Sequence, residues 1–108
     1  MNPDILNLLR KLGFRGTYAG FYYLAYGITL AMEDNSYLRR LTTGLYPAIG
    51  ARYGVSAACV ERSLRTLLAT FWKRGNVALL EEVVGYPVPA GTCTGAFIDI
   101  LTSYLTLQ

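Results

Sequence analysis

Three ionisable side chains, Glu61, Arg62 and Arg65, lie close together in a segment rich in leucine, alanine and threonine. The planar fork of an arginine guanidinium matches the O6 and N7 acceptors of guanine, and a glutamate can accept a hydrogen bond from cytosine N4. A good bidentate pair contributes about 1–3 kcal/mol of discrimination between bases. These residues are therefore candidates for contacts with base-pair edges.

The segment that carries them has the periodicity of an amphipathic helix over residues 57–74. Ser56 precedes it and can cap its first turn. One face collects apolar side chains that we expect in the core: Val60, Leu64, Leu67, Leu68 and Phe71. The opposite face collects Glu61, Arg62, Arg65, Thr66 and Lys73. Ala58 and Ala69 lie in the middle of this polar face, where small residues would let a partner approach closely, although a merely solvated helix can show the same pattern.

A glycine turn in front of this helix favours the interpretation with a partner. Pro47 fits the first turn of a short helix that ends at Tyr53, and Gly54 lies where the chain must reverse. Ile49, Tyr53 and Val55 supply apolar contacts between the two helices. This order predicts a helix-turn-helix, whose second helix enters the major groove of DNA.

The positive charge is concentrated around the same helix. Residues 39–74 contain seven basic side chains and one acid, a net charge of +6, whereas the rest of the chain carries −3 and the whole chain +3. Such a concentration suits a polyanion, because phosphate contacts supply much of the affinity for DNA. Location and charge predict phosphate contacts from Arg52, Ser56, Thr66, Lys73 and Arg74.

The residue inventory argues against other chemistry. The chain has no histidine, its glycines form no phosphate-binding loop of recognised spacing, and Glu81 and Glu82 point in different directions on a helix. Cys59 and Cys93 are too few for a zinc site or a disulfide framework, and free thiols suit a reducing cytoplasm. We therefore expect no enzyme, no metal and no cofactor, and a cytoplasmic protein.

One uncharged run, residues 16–32, has to be tested as a membrane segment. It is shorter than the roughly 20 apolar residues that a spanning helix needs, and it contains four tyrosines. We expect a largely buried helix and no membrane role. The hydrophobic content of 53% and the mean hydropathy of +0.30 are high, so we also expect apolar surface that self-association would cover.

Helical spacing and capping residues predict the other elements. Helices are expected at residues 3–12, 17–33, 77–84 and 94–107, with a short helix at 37–42. The proline-containing stretch 85–91 is expected to be a loop. The sequence thus predicts one all-α domain over residues 1–108, a compact bundle of about six helices that contains the helix-turn-helix.

Beyond this pattern, six blocks of residues carry a specific resemblance. They are Gly20-Phe-Tyr-Tyr-Leu24, Leu45-Tyr-Pro-Ala-Ile49, Val60-Glu-Arg62 with Arg65, Trp72-Lys-Arg-Gly-Asn76, Gly85-Tyr86 and Phe97-Ile98. In this order, over almost the whole chain, they resemble the C-terminal DNA-binding effector domains of the stage-zero sporulation protein A family of response regulators. The resemblance implies a six-helix domain that binds double-stranded DNA at a short promoter box and pairs on tandem boxes, partly through the last helix, 94–107.

The resemblance also assigns residues. Glu61, Arg62 and Arg65 match positions on the family's recognition helix that face DNA. Cys59 stands where family members carry a base-reading arginine, so it is a base contact of a different kind, to a thymine methyl group, or a space-filling residue. The family's regulators also carry a receiver domain, and we expect none within these 108 residues, because the effector-like domain occupies them.

Two functions remain open. The first is a sequence-specific DNA-binding transcription regulator of the sporulation type, favoured by Glu61, Arg62, Arg65 and the basic segment. The second is a protein-interaction module of the same fold, which dimerises with a related regulator and has lost specific DNA reading. Cys59 and the apolar excess favour this alternative.

Overall fold

The computed structural model describes residues 2–16 and 18–107 of the chain. These residues form six α-helices and, within this part of the chain, no strand. The helices are α1 Pro3–Lys11, α2 Ala19–Glu33, α3 Tyr46–Tyr53, α4 Ala57–Arg74, α5 Val77–Val84 and α6 Thr94–Thr106. The predicted all-α bundle is confirmed, with α2 beginning two residues later than expected; Thr17, its predicted first residue, lies outside the described residues.

The connection between α2 and α3 differs from the single short helix expected at 37–42. It consists of a 3₁₀ turn, Asn35–Arg39, and a π-helical turn, Leu41–Leu45. The carboxylate of Asp34 accepts a hydrogen bond from the Ser36 N–H at 3.0 Å, which caps the 3₁₀ turn. The Ser36 side chain, and then this backbone N–H, lower the pKa of Asp34. Arg40 then leaves helical geometry with a ψ of 62°, so one continuous helix cannot form across it.

Helix α2 lies at the centre of the bundle and packs against α1, α3, α4 and α6. It carries no charge before its last residue, Glu33, and it buries large side chains on several sides, including Phe21, Leu24 and Ile28. An almost uniformly apolar helix is stable only when neighbours surround it. None of the described helices combines the length and hydropathy needed to cross a membrane.

The turn between α3 and α4 has the features expected of a helix-turn-helix. Gly54 adopts left-handed geometry, with φ of 71°, and Ser56 Oγ accepts a hydrogen bond from the Cys59 N–H at 3.1 Å. A Cβ atom on Gly50 would clash with the carbonyl oxygen of Val55, so the glycine allows the turn to fold back closely onto α3. The predicted core face of α4 is fully buried: Val60, Leu64, Leu67, Leu68 and Phe71.

The loop between α1 and α2 is fixed to the far end of α4. The Asn76 N–H donates to the Leu12 carbonyl at 2.8 Å, and the Phe14 ring stacks on Phe71 with a centroid distance of 4.8 Å. Helix α4 ends at Gly75 in extended geometry, where a Cβ would clash with the Phe71 ring. These contacts place the N-terminal part of the chain beside the last turn of the helix that carries the candidate site.

Candidate nucleic-acid interface

The solvent side of α4 is a ridge of polar and small residues, as its periodicity predicted. Arg62, Arg65, Thr66 and Lys73 are exposed, and Ala58 and Ala69 are exposed among them. The buried residues Val60 and Leu64 hold the helix in the core from the opposite side. The small residues leave the backbone of α4 accessible between the longer polar side chains.

One side of the ridge carries an ion pair; we call Glu61, Arg65 and Trp72 the paired flank. The Nη2 of Arg65 lies 2.8 Å from the Oε1 of Glu61, one helical turn away. The Arg65 side chain nevertheless remains 71% exposed, and that of Glu61 44%. The pair therefore fixes the guanidinium at the surface, and its unused N–H donors are accessible to a ligand.

A buried tyrosine lies beside the paired flank. Tyr46, together with Glu61, Arg65 and Trp72, lines an open cleft of about 400 Å³ whose other wall includes Cys93 and Thr94. Burial raises the pKa of the Tyr46 phenol, and the carboxylate of Glu61 raises it further. The pKa of Tyr46 thus depends on the charge of Glu61, one of the candidate base-reading residues. No local pattern in the sequence indicated that Tyr46 would lie beside them.

The other side of the ridge carries residues spaced by four; we call Arg62, Thr66, Thr70 and Arg74 the free flank. The residues of this flank line two adjoining depressions between α4 and the start of α2, the larger about 250 Å³. Within the described residues, no carboxylate lies within 4.0 Å of the guanidinium of Arg62 or of Arg74. The free flank therefore keeps its full positive charge.

The predicted phosphate contacts lie at both ends of α4. Arg52 and Ser56 flank the turn at its N-terminal end, with the Arg52 guanidinium 5.3 Å from the centroid of the Tyr53 ring. Lys73 and Arg74 lie exposed in the last turn, and Thr66 lies between the two groups. The ends are separated by about 27 Å, from 1.5 Å per residue along an 18-residue helix. A small ligand could not contact all five side chains at once, whereas the backbone of a DNA duplex is long enough to do so.

Cys59 lies in the first turn of α4 and is partly exposed. Its sulfur forms no disulfide, and neither does that of Cys93. Its backbone N–H is already bound by Ser56, so only the thiol is available to a partner. In the described ranges, no group of three or more histidine, cysteine, aspartate or glutamate residues is arranged to hold a metal ion.

The structure adds neighbours that no local pattern could have indicated. Arg15 and Tyr18 lie next to the C-terminal half of α4, and both line the smaller depression with Arg74. Gly20 allows the start of α2 to approach α4, since a Cβ there would lie 3.0 Å from the Ser63 carbonyl oxygen. These contacts bring together distant parts of the sequence and depend on the complete fold.

A comparison with protein families agrees with this architecture. Residues 5–105 match the family model described as Sporulation initiation factor Spo0A C terminal. The match includes all of the helix-turn-helix and every residue of the candidate interface, and this family comprises DNA-binding effector domains of sporulation transcription regulators. The chain therefore belongs to the Spo0A C-terminal family of DNA-binding domains.

Proposed function

We propose that the chain is a sequence-specific DNA-binding transcription regulator whose helix α4 lies in the major groove. The observation that carries this proposal is the exposed ridge of α4, where Arg62 has no carboxylate partner among the described residues and Arg65 is paired with Glu61 at the surface. These residues lie in the N-terminal half of α4, the part of a recognition helix that contacts base edges. The DNA-binding character of the family supports the same role.

Arg62 and Arg65 are suited to different kinds of base contact. Arg62 is free to turn its whole fork towards the O6 and N7 of a guanine. Arg65 is already oriented by Glu61, so less side-chain entropy is lost when it binds. Glu61 can instead accept from cytosine N4 when the pair opens, and Cys59 can contact a thymine methyl group. We assign base recognition to these four residues.

Phosphate contacts then fix the helix in the groove. Arg52 and Ser56 would bind the strand near the turn, and Thr66, Lys73 and Arg74 would bind along and beyond the ridge. Such contacts set the register of the protein on the duplex and make its affinity dependent on salt. A regulator of this kind acts in the cytoplasm, on chromosomal DNA.

A second copy of the chain is the partner that we propose for an apolar face of α6. Ile100 and Tyr104 of α6, with Tyr86 and Leu107, surround a depression of about 340 Å³. Tyr86 is 49% exposed and Leu107 87%, so apolar surface is left uncovered there. Pairing through this face would place two copies on tandem boxes. The same surface favours the alternative, a module that dimerises with a related regulator without specific DNA reading.

A titration against two duplexes tests the proposal. Binding of the chain to tandem family-type boxes and to a scrambled duplex would be measured at two salt concentrations, by mobility shift or fluorescence anisotropy. Arg62→Ala is expected to weaken binding to the boxes by about 5- to 150-fold, the equivalent of about 1–3 kcal/mol. Binding to the scrambled duplex should change far less.

Lys11→Ala is the matched control. It removes the same charge from an exposed position that lines a different depression, with Asp4 and Leu79. It should leave the preference for the boxes unchanged. Equal affinity for both duplexes, lost in parallel as salt rises, would contradict specific reading; dimerisation with a related domain under those conditions would favour the alternative.

A further inference from the structure

We infer that Arg15 and Arg74 together bind one phosphate of the DNA backbone, at the end of α4 remote from the base-reading residues. This inference rests on the proposed function and adds to it a residue outside the helix-turn-helix. Arg15 belongs to the loop between α1 and α2, and Arg74 to the last turn of α4. Both line one cleft of about 120 Å³, together with Tyr18 and Gly75.

Arg15 is held at this cleft by its neighbours. Phe14, the preceding residue, is buried; its ring stacks on Phe71 and meets Phe97 edge-on at a centroid distance of 5.9 Å. The hydrogen bond from the Asn76 N–H to the Leu12 carbonyl fixes the loop on its other side. The backbone of Arg15 is therefore held in place at the edge of the core. Only the side chain of Arg15 needs to be ordered by a ligand.

The charges at the cleft favour an anion. Across residues 2–16 and 18–107, neither guanidinium has a carboxylate within 4.0 Å. Two like charges that share a cleft repel each other, and an anion between them removes this repulsion. The negative end of the α4 dipole stabilises a cation here but carries only a partial charge, which does not neutralise two full positive charges. Guanidinium forks match phosphate oxygens in geometry as well as charge.

Continuity with the reading surface identifies the phosphate as one of the duplex. Tyr18, Leu67 and Thr70 line both this cleft and the depression that reaches Arg62. Arg62 and Arg74 are separated by about 18 Å along the helix axis, from 1.5 Å per residue. A DNA strand that follows α4 away from the base contacts would therefore reach the cleft. Binding of its phosphate there would add affinity without adding sequence preference.

The inference is tested with Arg15→Ala, Arg74→Ala and the double variant in the full chain. Binding to the box duplex would be measured between about 50 and 200 mM salt, where each phosphate that the protein neutralises adds about 0.9 to the slope of log K against log salt. We expect the slope of the double variant to be shallower by about 0.9, the value for one phosphate. Its affinity should fall by less than the product of the two single effects. The preference for boxes over scrambled duplex should be retained.

Three results would overturn the shared phosphate. A slope change of about 1.8 with multiplicative effects on affinity would indicate two separate phosphates, and no change beyond that of the Lys11→Ala control would indicate none. Competition by inorganic phosphate at constant ionic strength, abolished in either single variant, would assign the cleft to a free anion instead. Thermal unfolding of each variant checks that the fold is intact.

The outcome is separable from that of the proposed function. A bound phosphate affects the salt slope on either duplex, because the backbone is the same in both. If the unmodified chain failed to prefer the boxes, specific reading would fail while the slope still tested Arg15 and Arg74. If the preference held and the slope did not change, only the inferred phosphate site would fail.

Discussion

The two flanks of α4 carry arginines in contrasting states. On the paired flank Arg65 is oriented and electrically balanced by Glu61, whereas on the free flank no carboxylate of the described part of the chain pairs with Arg62 or Arg74. An oriented, neutralised fork favours selective hydrogen bonding, and an uncompensated charge favours phosphate attraction that salt weakens. A single glutamate on one side of the helix should thus make the contacts of Arg65 less dependent on salt than those of Arg62, although we propose that both residues contact bases.

The largest effect on affinity for the boxes is expected from Arg65→Ala, which removes the arginine of the paired flank. The variant removes a base contact worth about 1–3 kcal/mol and also leaves the Glu61 carboxylate unpaired against the duplex. Its affinity for the boxes should fall by at least about 5-fold, the equivalent of about 1 kcal/mol. The upper end of the range corresponds to about 150-fold. The change is measured by anisotropy titration at fixed salt.

The double variant Glu61→Gln, Arg65→Ala separates the loss of the Arg65 contact from the effect of the unpaired Glu61 charge. Removal of the unpaired charge should recover part of the affinity, so the two substitutions should not add. Glu61→Gln alone should strengthen binding to scrambled duplex and reduce the preference for the boxes. Strictly additive effects would show that the ion pair does not orient Arg65 for reading.

A smaller effect, of opposite sign, is expected from Cys59→Arg. On a helical wheel Cys59 falls on the side of the free flank, where the family resemblance places a base-reading arginine. The substitution should strengthen binding to family-type boxes by up to about 1–3 kcal/mol and leave scrambled duplex much less affected. Titration of both duplexes would measure this gain in preference.

Cys59→Arg should also cost stability. A cation in the first turn opposes the α4 dipole by about 0.3–1 kcal/mol, which urea unfolding would detect. Cys59→Ser, which adds no charge, is the control for both measurements. A uniform gain on both duplexes would mean that the new arginine contacts phosphate and not a base.

The smallest effect concerns the pKa of Tyr46, which burial and then Glu61 raise above the ordinary value of 10.0. Because the folded state favours the neutral phenol, its contribution to stability is complete below about pH 10 and is lost as the pH rises through the raised pKa. Glu61→Gln should lower the pKa of Tyr46, whereas Arg62→Gln should not. A pH titration of ¹³C-labelled tyrosine rings would show the difference; equal shifts would contradict the asymmetry of the flanks.

Local features of the sequence were sufficient to predict most of the fold. Ser56 and Asn76 begin α4 and α5 by accepting the hydrogen bonds expected of capping residues. Gly54 supplies the left-handed turn, and the apolar periodicity of α4 identified its buried face. Each of these signals acts over four residues or fewer, or repeats along one helix, and can therefore be recognised without a tertiary structure.

The contacts of the candidate site were less predictable. The spacing of Glu61 and Arg65 is that of a helical ion pair, which can be recognised from the sequence, but the exposure that both side chains keep within the pair cannot. Arg15 reaches α4 from the loop between α1 and α2, where Phe14 stacks on Phe71, and Tyr46 reaches it from α3. The short helix expected at residues 37–42 is replaced by two separate turns, because the carboxylate of Asp34 caps the first turn and Arg40 leaves helical geometry.

The central position of α2 has a consequence for how the domain unfolds. This helix packs against α1, α3, α4 and α6, so four of the other helices share one central contact surface. Heat or denaturant should unfold the bundle in a single cooperative step, and α4 should not unfold ahead of the rest. The exposed face of α4 should therefore persist until the whole domain unfolds.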